Sequence, residues 1–244
     1  MEELNKLLKR HYDNDGRNGY SVAESSFDLW LDGYEKGIPG PNVSIHNEGA
    51  LAALILDLMI RIKFDNEKSM DDVMRLMWQR HGKNLAGYSY SDYQTAAKTV
   101  FEEPLDEYFT NIISGNKPYE TYLADLFPKF GLDFNLSQSK KMEERDYGIR
   151  LDKEMIIDID NNAPAYSLLS IGDKIESING NAFKEGLFTS GLISLKINRF
   201  GRQLDFELKA QPGNYFAVYQ VEMNDESDSK GLQRLAGWLG KCIA

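Results

Sequence analysis

The spacing of apolar residues changes near Phe130, and that change divides the chain. Across residues 47–64, Leu51, Leu54, Ile55, Leu58, Met59 and Ile62 recur at intervals of three and four, which lines one face of a helix. Apolar side chains also fall off that face, so this helix is expected to be buried on more than one side. A second helix opens at Ser69, a residue able to cap orphan backbone N–H groups. Asp71 and Asp72 stand at its positive end, and it runs past Met77 and Trp78 to stop near Gly82. A third begins after Ser91 and ends near Glu103, a fourth starts at Pro104 and ends at Gly115, and a shorter one covers residues 119–127. Short links between such helices describe a compact all-helical unit. Residues 1–46 read as an irregular entry, with a short helical start at 4–8, a turn-rich stretch at 13–19 and a loop at 37–41.

Beyond Phe130 the period falls to two. Residues 155–159, 174–178, 194–198 and 204–208 mostly alternate apolar and polar side chains, and Phe200-Gly201-Arg202 reads as a hairpin turn. Several short strands at this spacing predict a small barrel or sandwich. The expected fold class is therefore α+β: a helical part over residues 1–131, a small β-barrel domain over 132–213, and a tail over 214–244 that packs on the helical part. The run 138–146 is expected to be a charged loop, and Glu222, Asp225, Glu226 and Asp228 a solvated one.

Composition narrows the function classes. The 244 residues carry a formal net charge of −10, which repels a phosphate backbone and an anionic bilayer, so neither nucleic acid nor membrane is an expected partner. The most apolar run, residues 50–60, contains Asp57 and falls short of the roughly 20 residues that span a bilayer. The first residues lack an apolar signal core. The single cysteine, Cys242, allows neither an intrachain disulfide nor a cysteine-based zinc cluster. Nothing here separates a cytoplasmic from a periplasmic or secreted location.

Ala163-Pro164-Ala165, then Leu168-Leu169, Ile171-Gly172-Asp173-Lys174-Ile175 and Ile178-Asn179-Gly180 carry the strongest motif. A short helix leads to a tight Gly-Asp turn, a strand follows, and Asn-Gly turns the chain back. The stretch resembles the core of PDZ domains. That resemblance implies capture of a peptide or protein C-terminus as an added strand, with backbone amides holding the terminal carboxylate. The corresponding residues are Tyr147, Gly148, Ile149 and Arg150, with Ile149 and Leu151 lining a pocket. Only residues 181–191 precede the next strand, and Gly186 and Gly191 interrupt them, so the helix forming the far wall of such a groove is expected to be short or missing.

The helical part carries a second resemblance. Glu24-Ser25-Ser26-Phe27-Asp28-Leu29-Trp30, Ser44-Ile45-His46-Asn47-Glu48-Gly49-Ala50-Leu51, and Ser69-Met70-Asp71-Asp72-Val73-Met74-Arg75 are similar to motifs of PDZ-containing glycyl aminopeptidases, distant relatives of aminopeptidase N. Leu105-Asp106-Glu107-Tyr108-Phe109, Gly115, Pro118-Tyr119, Leu123 and the terminal Gly237-Trp238-Leu239-Gly240 continue the match in the family's order. Such enzymes hold zinc through HExxH and a later glutamate. The histidines of this chain are His11, His46 and His81, and none has a second histidine four residues away. The resemblance thus implies the C-terminal part of a zinc aminopeptidase-like protein, without metal ligands or a cofactor of its own and not catalytic by itself. Zinc is expected only in an N-terminal catalytic half, the intramolecular partner. His46 stands where the family has a tyrosine that stabilises an oxyanion, so it is either an altered donor or a helix-start residue at a decayed site. Glu48 and Ile45 replace the family's lysine and other tyrosine. His11 lies in a polar stretch with no visible partner, His81 suits a helix end, and Tyr88, Tyr90, Tyr93 and Phe101 either pack in a core or border a cleft. A non-catalytic peptide-binding module, with the helices as scaffold, is the competing function.

Overall fold

A computed structural model describes residues 1–29 and 43–240. Trp30, the loop at 37–41 and Cys242 lie outside the described residues. The chain forms two compact units: one holds the residues up to Asn135 together with those from Tyr219 onward, and the other is Leu136–Val218.

In the first unit, α1 (Glu2–Tyr12) is longer than the short helical start that its first leucines suggest. Helix α2 (Val22–Phe27) follows behind a capping box in which Ser21 and Glu24 satisfy each other's backbone N–H groups. Helix α3 (Ile45–Lys63) is the spine of the unit, and Leu51, Ala52, Ile55, Leu56, Leu58 and Ile60 are buried on more than one of its faces. Asp57, the one charge in its apolar run, is not idle: it bonds Arg61 at 2.8 Å and accepts the N–H of Met70 at 2.8 Å. That N–H is an orphan of the next helix, α4 (Met70–Arg80), capped in addition by Ser69 and Asp72.

Helix α5 (Tyr90–Phe101) is capped by Ser89 rather than Ser91, because Asp92 stands three residues after Ser89 and can close the reciprocal box. Pro104 precedes the next helix rather than opening it. That helix, α6 (Asp106–Tyr108), runs on as a π turn over Phe109–Ile113. Helix α7 (Glu120–Leu126) leads through a 3-10 turn into Gly131, whose φ of +67° ends it. Leu8, Leu51, Ile55, Ile112, Leu123 and Phe127 are among the side chains sealed in this core.

Strand β1 (Leu132–Ser137) pairs with β8 (Val218–Met223), so Glu222 belongs to a strand and not to a loop. Asp228 then caps the last helix, α9 (Ser229–Trp238), by accepting the N–H of Gly231 at 2.7 Å. No helix among the described residues is long and apolar enough to cross a membrane.

The second unit begins with helix where a charged loop was expected. Residues 142–147 form α8 (Met142–Tyr147), closed by Gly148 at φ +66°. The sheet runs in the order β2 (Ile149–Asp152), β3 (Met155–Ile159), β4 (Lys174–Ile178), β6 (Leu192–Arg199), β7 (Arg202–Lys209), with β5 (Asn181–Ala182) paired to β4. Its pairings are antiparallel. The expected closed barrel is instead an open sheet, with β2 and β7 at its two ends. Closure needs two long outer strands to pair along their free edges. Here β2 has four residues and a register shift between Arg150 and Leu151.

Alternation buries Ile175, Ile178, Ile193, Leu195 and Ile197, while Phe200 and Gly201, both at positive φ, turn β6 into β7. Asp173 locks this unit. It is 1% exposed, accepts the N–H of Ser170 at 2.8 Å, and receives two bonds from Arg199 at 2.7 Å each. Asp173→Ala is expected to destabilise the chain by about 3 kcal/mol, because it breaks a buried pair and strands a turn N–H. Urea unfolding checks this, and a loss under about 1 kcal/mol would contradict it.

Candidate functional site

The two units each carry a site, built on different chemistry. In the first, the C-terminal turn of α1 delivers His11 and Tyr12 to the start of α3. His11 is 3% exposed and its Nδ1 lies 2.7 Å from Oε2 of Glu48, which is itself 3% exposed. Glu48 stands in the first turn of α3, where the helix dipole favours negative charge, and its Oε1 accepts a bond from Asn47 at 3.2 Å. The His11 ring stacks on Tyr119 with centroids 4.8 Å apart and planes 3° from parallel, and meets the edge of Tyr12 at 4.8 Å.

Burial and then the Glu48 charge push the Tyr119 phenol well above its ordinary value. Tyr12 is raised by burial first and by Glu120 second, and its hydroxyl donates to Glu120 at 3.3 Å. Both phenols therefore stay neutral hydrogen-bonding groups, unsuited to proton transfer near neutral pH.

His11 and Glu48 already bond each other, and among the described residues no three His, Cys, Asp or Glu side chains come together. His46, the sequence candidate two residues before Glu48, is exposed in the first turn of α3, outside the His11–Glu48 cluster. His81 ends α4 and its Nδ1 lies 3.2 Å from the carbonyl of Gly87. Tyr88 and Tyr90 are exposed, whereas Tyr93 packs edge-on to Phe109 and burial pushes its phenol up to about 12. Sequence reasoning missed the site at His11. The signal was present: Leu4, Leu8, His11 and Tyr12 share one face at helical spacing, so His11 points where Leu8 points.

In the second unit the four sequence candidates fall at the junction of α8 and β2. Tyr147 is fully buried, and its hydroxyl donates to the carbonyls of Thr189 and Gly191. Gly148 uses its N–H to cap α8, donating to Glu144 O at 3.1 Å, so that amide is engaged within the helix end. A Cβ there would collide with the Cβ of Ala163. Ile149 is fully buried, and Arg150 stacks over Phe216 at 4.2 Å beside Glu144 and Asp158.

Strand β2 is an edge of its sheet, and beside it lies a cavity of about 390 Å³. Met142, Leu151, Phe183 and Phe188 give it apolar walls, and Lys140, Lys141 and Lys153 bring positive charge against Glu143 and Glu185. Residues 181–191 supply no helix to its far side: β5 is followed by a turn at Gly186, φ +79°.

Replacing His11 by Phe is expected to cost about 3 kcal/mol, since Glu48 is left buried with Oε2 unanswered and only the Asn47 amide on Oε1. The double change His11→Phe with Glu48→Leu should recover most of that loss. Denaturant unfolding of the two variants distinguishes this from simple loss of packing, in which the double change is no better than the single one.

Neither protein-family profiles nor curated proteins match this sequence. Among solved structures, the crystal structure of an aminopeptidase N family protein from Idiomarina loihiensis is similar to it, with a TM-score of 0.78 and 23% identity. The match covers 96% of this chain and 43% of that protein, so the chain spans less than half of its structural neighbour's length. At this identity the likeness establishes a shared fold.

Proposed function

We propose that this chain is the counterpart of the C-terminal, non-catalytic region of a zinc aminopeptidase-like protein. Its helical unit walls a substrate cleft, and its second unit is a PDZ-like domain that braces or gates that cleft. The observation that carries this is the fold shared with an aminopeptidase N family protein over 96% of the chain. The ordered motifs from Glu24 to Gly240 add to it. Peptide hydrolysis then belongs to the whole protein, with metal and general base supplied outside residues 1–244.

The purified chain is expected to hold no stoichiometric zinc on metal analysis. It is also expected not to release the N-terminal residue from aminoacyl p-nitroanilides. Stoichiometric zinc together with turnover would overturn the proposal.

One observation favours a second function, peptide capture. An edge strand beside a cavity of about 390 Å³, lined by apolar and charged side chains alike, is a geometry that strand addition can use. Because the Gly148 N–H is engaged, a peptide carboxylate is expected to rely on Ile149 and on the lysines at the cavity rim. Titrating a short peptide with a free C-terminus should shift the amides of Ile149, Leu151 and Met142, and amidating that C-terminus should weaken binding about tenfold. Unchanged amides at saturating peptide would remove peptide capture and leave the bracing role.

A further inference from the structure

The outward face of α4 is apolar where a solvated helix face would be polar. Val73 and Met77 are buried, whereas Met74 and Trp78, four residues apart on the outward side, are each more than half exposed. The Trp78 indole lies against Gly82, where a Cβ would collide with its ring. From there the chain folds back on the helix end. Leu85 N–H donates to Gly82 O at 3.1 Å, Ala86 N–H donates to His81 O at 3.0 Å, and the Tyr88 and His81 ring centroids are 6.2 Å apart. Leu85 is 94% exposed and sits at φ +51°, a left-handed backbone that a bulky side chain rarely adopts. A strained leucine facing solvent adds no stability of its own, so the patch of Met74, Trp78, Leu85 and Tyr88 points to an interface.

We propose that this face is the contact of a twofold dimer, in which α4 of one copy packs antiparallel on α4 of a second copy. Charge selects a second copy, because the face is self-complementary. Asp71 stands at the start of α4 and Lys83 just past its end, both exposed. Turning one copy end for end brings each Asp71 to the Lys83 of the other copy, and it sets the two helix dipoles head to tail. Arg75, near the axis, is already answered by Asp72 at 3.0 Å, so the two copies do not set bare cations against each other. An acidic peptide laid along this face would meet Asp71, a basic one would meet Lys83, and an anionic bilayer would meet a chain of net charge −10.

The size of the patch suits this use. Taking about 150–250 Å² for each large side chain, the four expose on the order of 500 Å² between them. A standard interface buries roughly 800 Å² on each partner, about 65% of it apolar in homodimers, so these residues supply its apolar centre. Trp78 and Tyr88 are the side-chain types that most often anchor such contacts. Seated against a second copy, Leu85 offsets its backbone strain by burial. The dimer does not depend on the peptidase-like function, because it uses no group assigned to that chemistry.

Sedimentation equilibrium of the intact chain from about 1 to 100 μM tests this, with a reversible monomer–dimer equilibrium of about micromolar affinity or tighter expected. Leu85→Asn should weaken the dimer about tenfold or more, while the urea stability of the dilute monomer holds or rises, since asparagine suits the left-handed backbone. Trp78→Glu should weaken the dimer at least as much. Asp71→Lys and Lys83→Glu should each weaken it, and the two together should restore it. Phe200→Ser, which removes a fully exposed ring from the other unit, should leave the dimer unchanged. A monomer at about 100 μM would overturn the proposal and leave the face to a different polypeptide. Association that grows beyond two copies, a dimer indifferent to Leu85→Asn, or a double charge change no better than the single ones would overturn it as well. Should Trp78→Glu loosen the fold, Leu85→Asn and the charge pair still decide.

Discussion

A carboxylate sealed inside a helical core is tolerable only beside a partner that answers its charge and its lone pairs. Glu48 makes that demand at the start of the longest helix, where the helix dipole already favours an acidic group. His11 and Asn47 meet it, and the His11 bond fixes where α1 must lie. The other end of α1 is fixed by Asn5. Its side chain donates to Val221 O at 3.0 Å and accepts Val221 N–H at 2.7 Å, which imitates a paired strand on β8. A first helix that looks weak by its own periodicity is thereby pinned to two elements far along the chain.

Gly148 plays the equivalent part in the second unit. One residue ends α8 through a left-handed cap, starts β2, and leaves room for Ala163 to approach. Tyr147 beside it reaches the carbonyls of Thr189 and Gly191, which ties down the segment before β6. The cavity along β2 is a consequence of both contacts. Its walls are α8 on one side and the tethered turn segment on the other, and no groove helix is required.

Localised charge and overall charge point in opposite directions. The chain is acidic as a whole, yet each unit gathers cations around a cavity: Arg17 and Lys117 in one, Lys140, Lys141 and Lys153 in the other. Each lining also carries acid, Glu48 in the first and Glu143 and Glu185 in the second, so neither cavity is more than mildly cationic.

Periodicity and caps are local properties, and they were legible in the amino-acid sequence. The long helix around Leu51–Ile62, the Ser69 cap, the Gly172-Asp173 turn and the β6–β7 hairpin all follow from residues within a few positions of one another. Helix boundaries drifted where two serines competed, as at Ser89 and Ser91, and the sheet was expected to close because strand count says nothing of edge length. What only tertiary structure decided is long-range pairing of polar groups. His11 and Glu48 are 37 positions apart, and Asn5 and Val221 are 216 apart. No periodic pattern encodes such meetings, because local spacing tells which face a residue shares and not which distant group it will face. They become specific only when packing removes water and leaves each group one partner within reach.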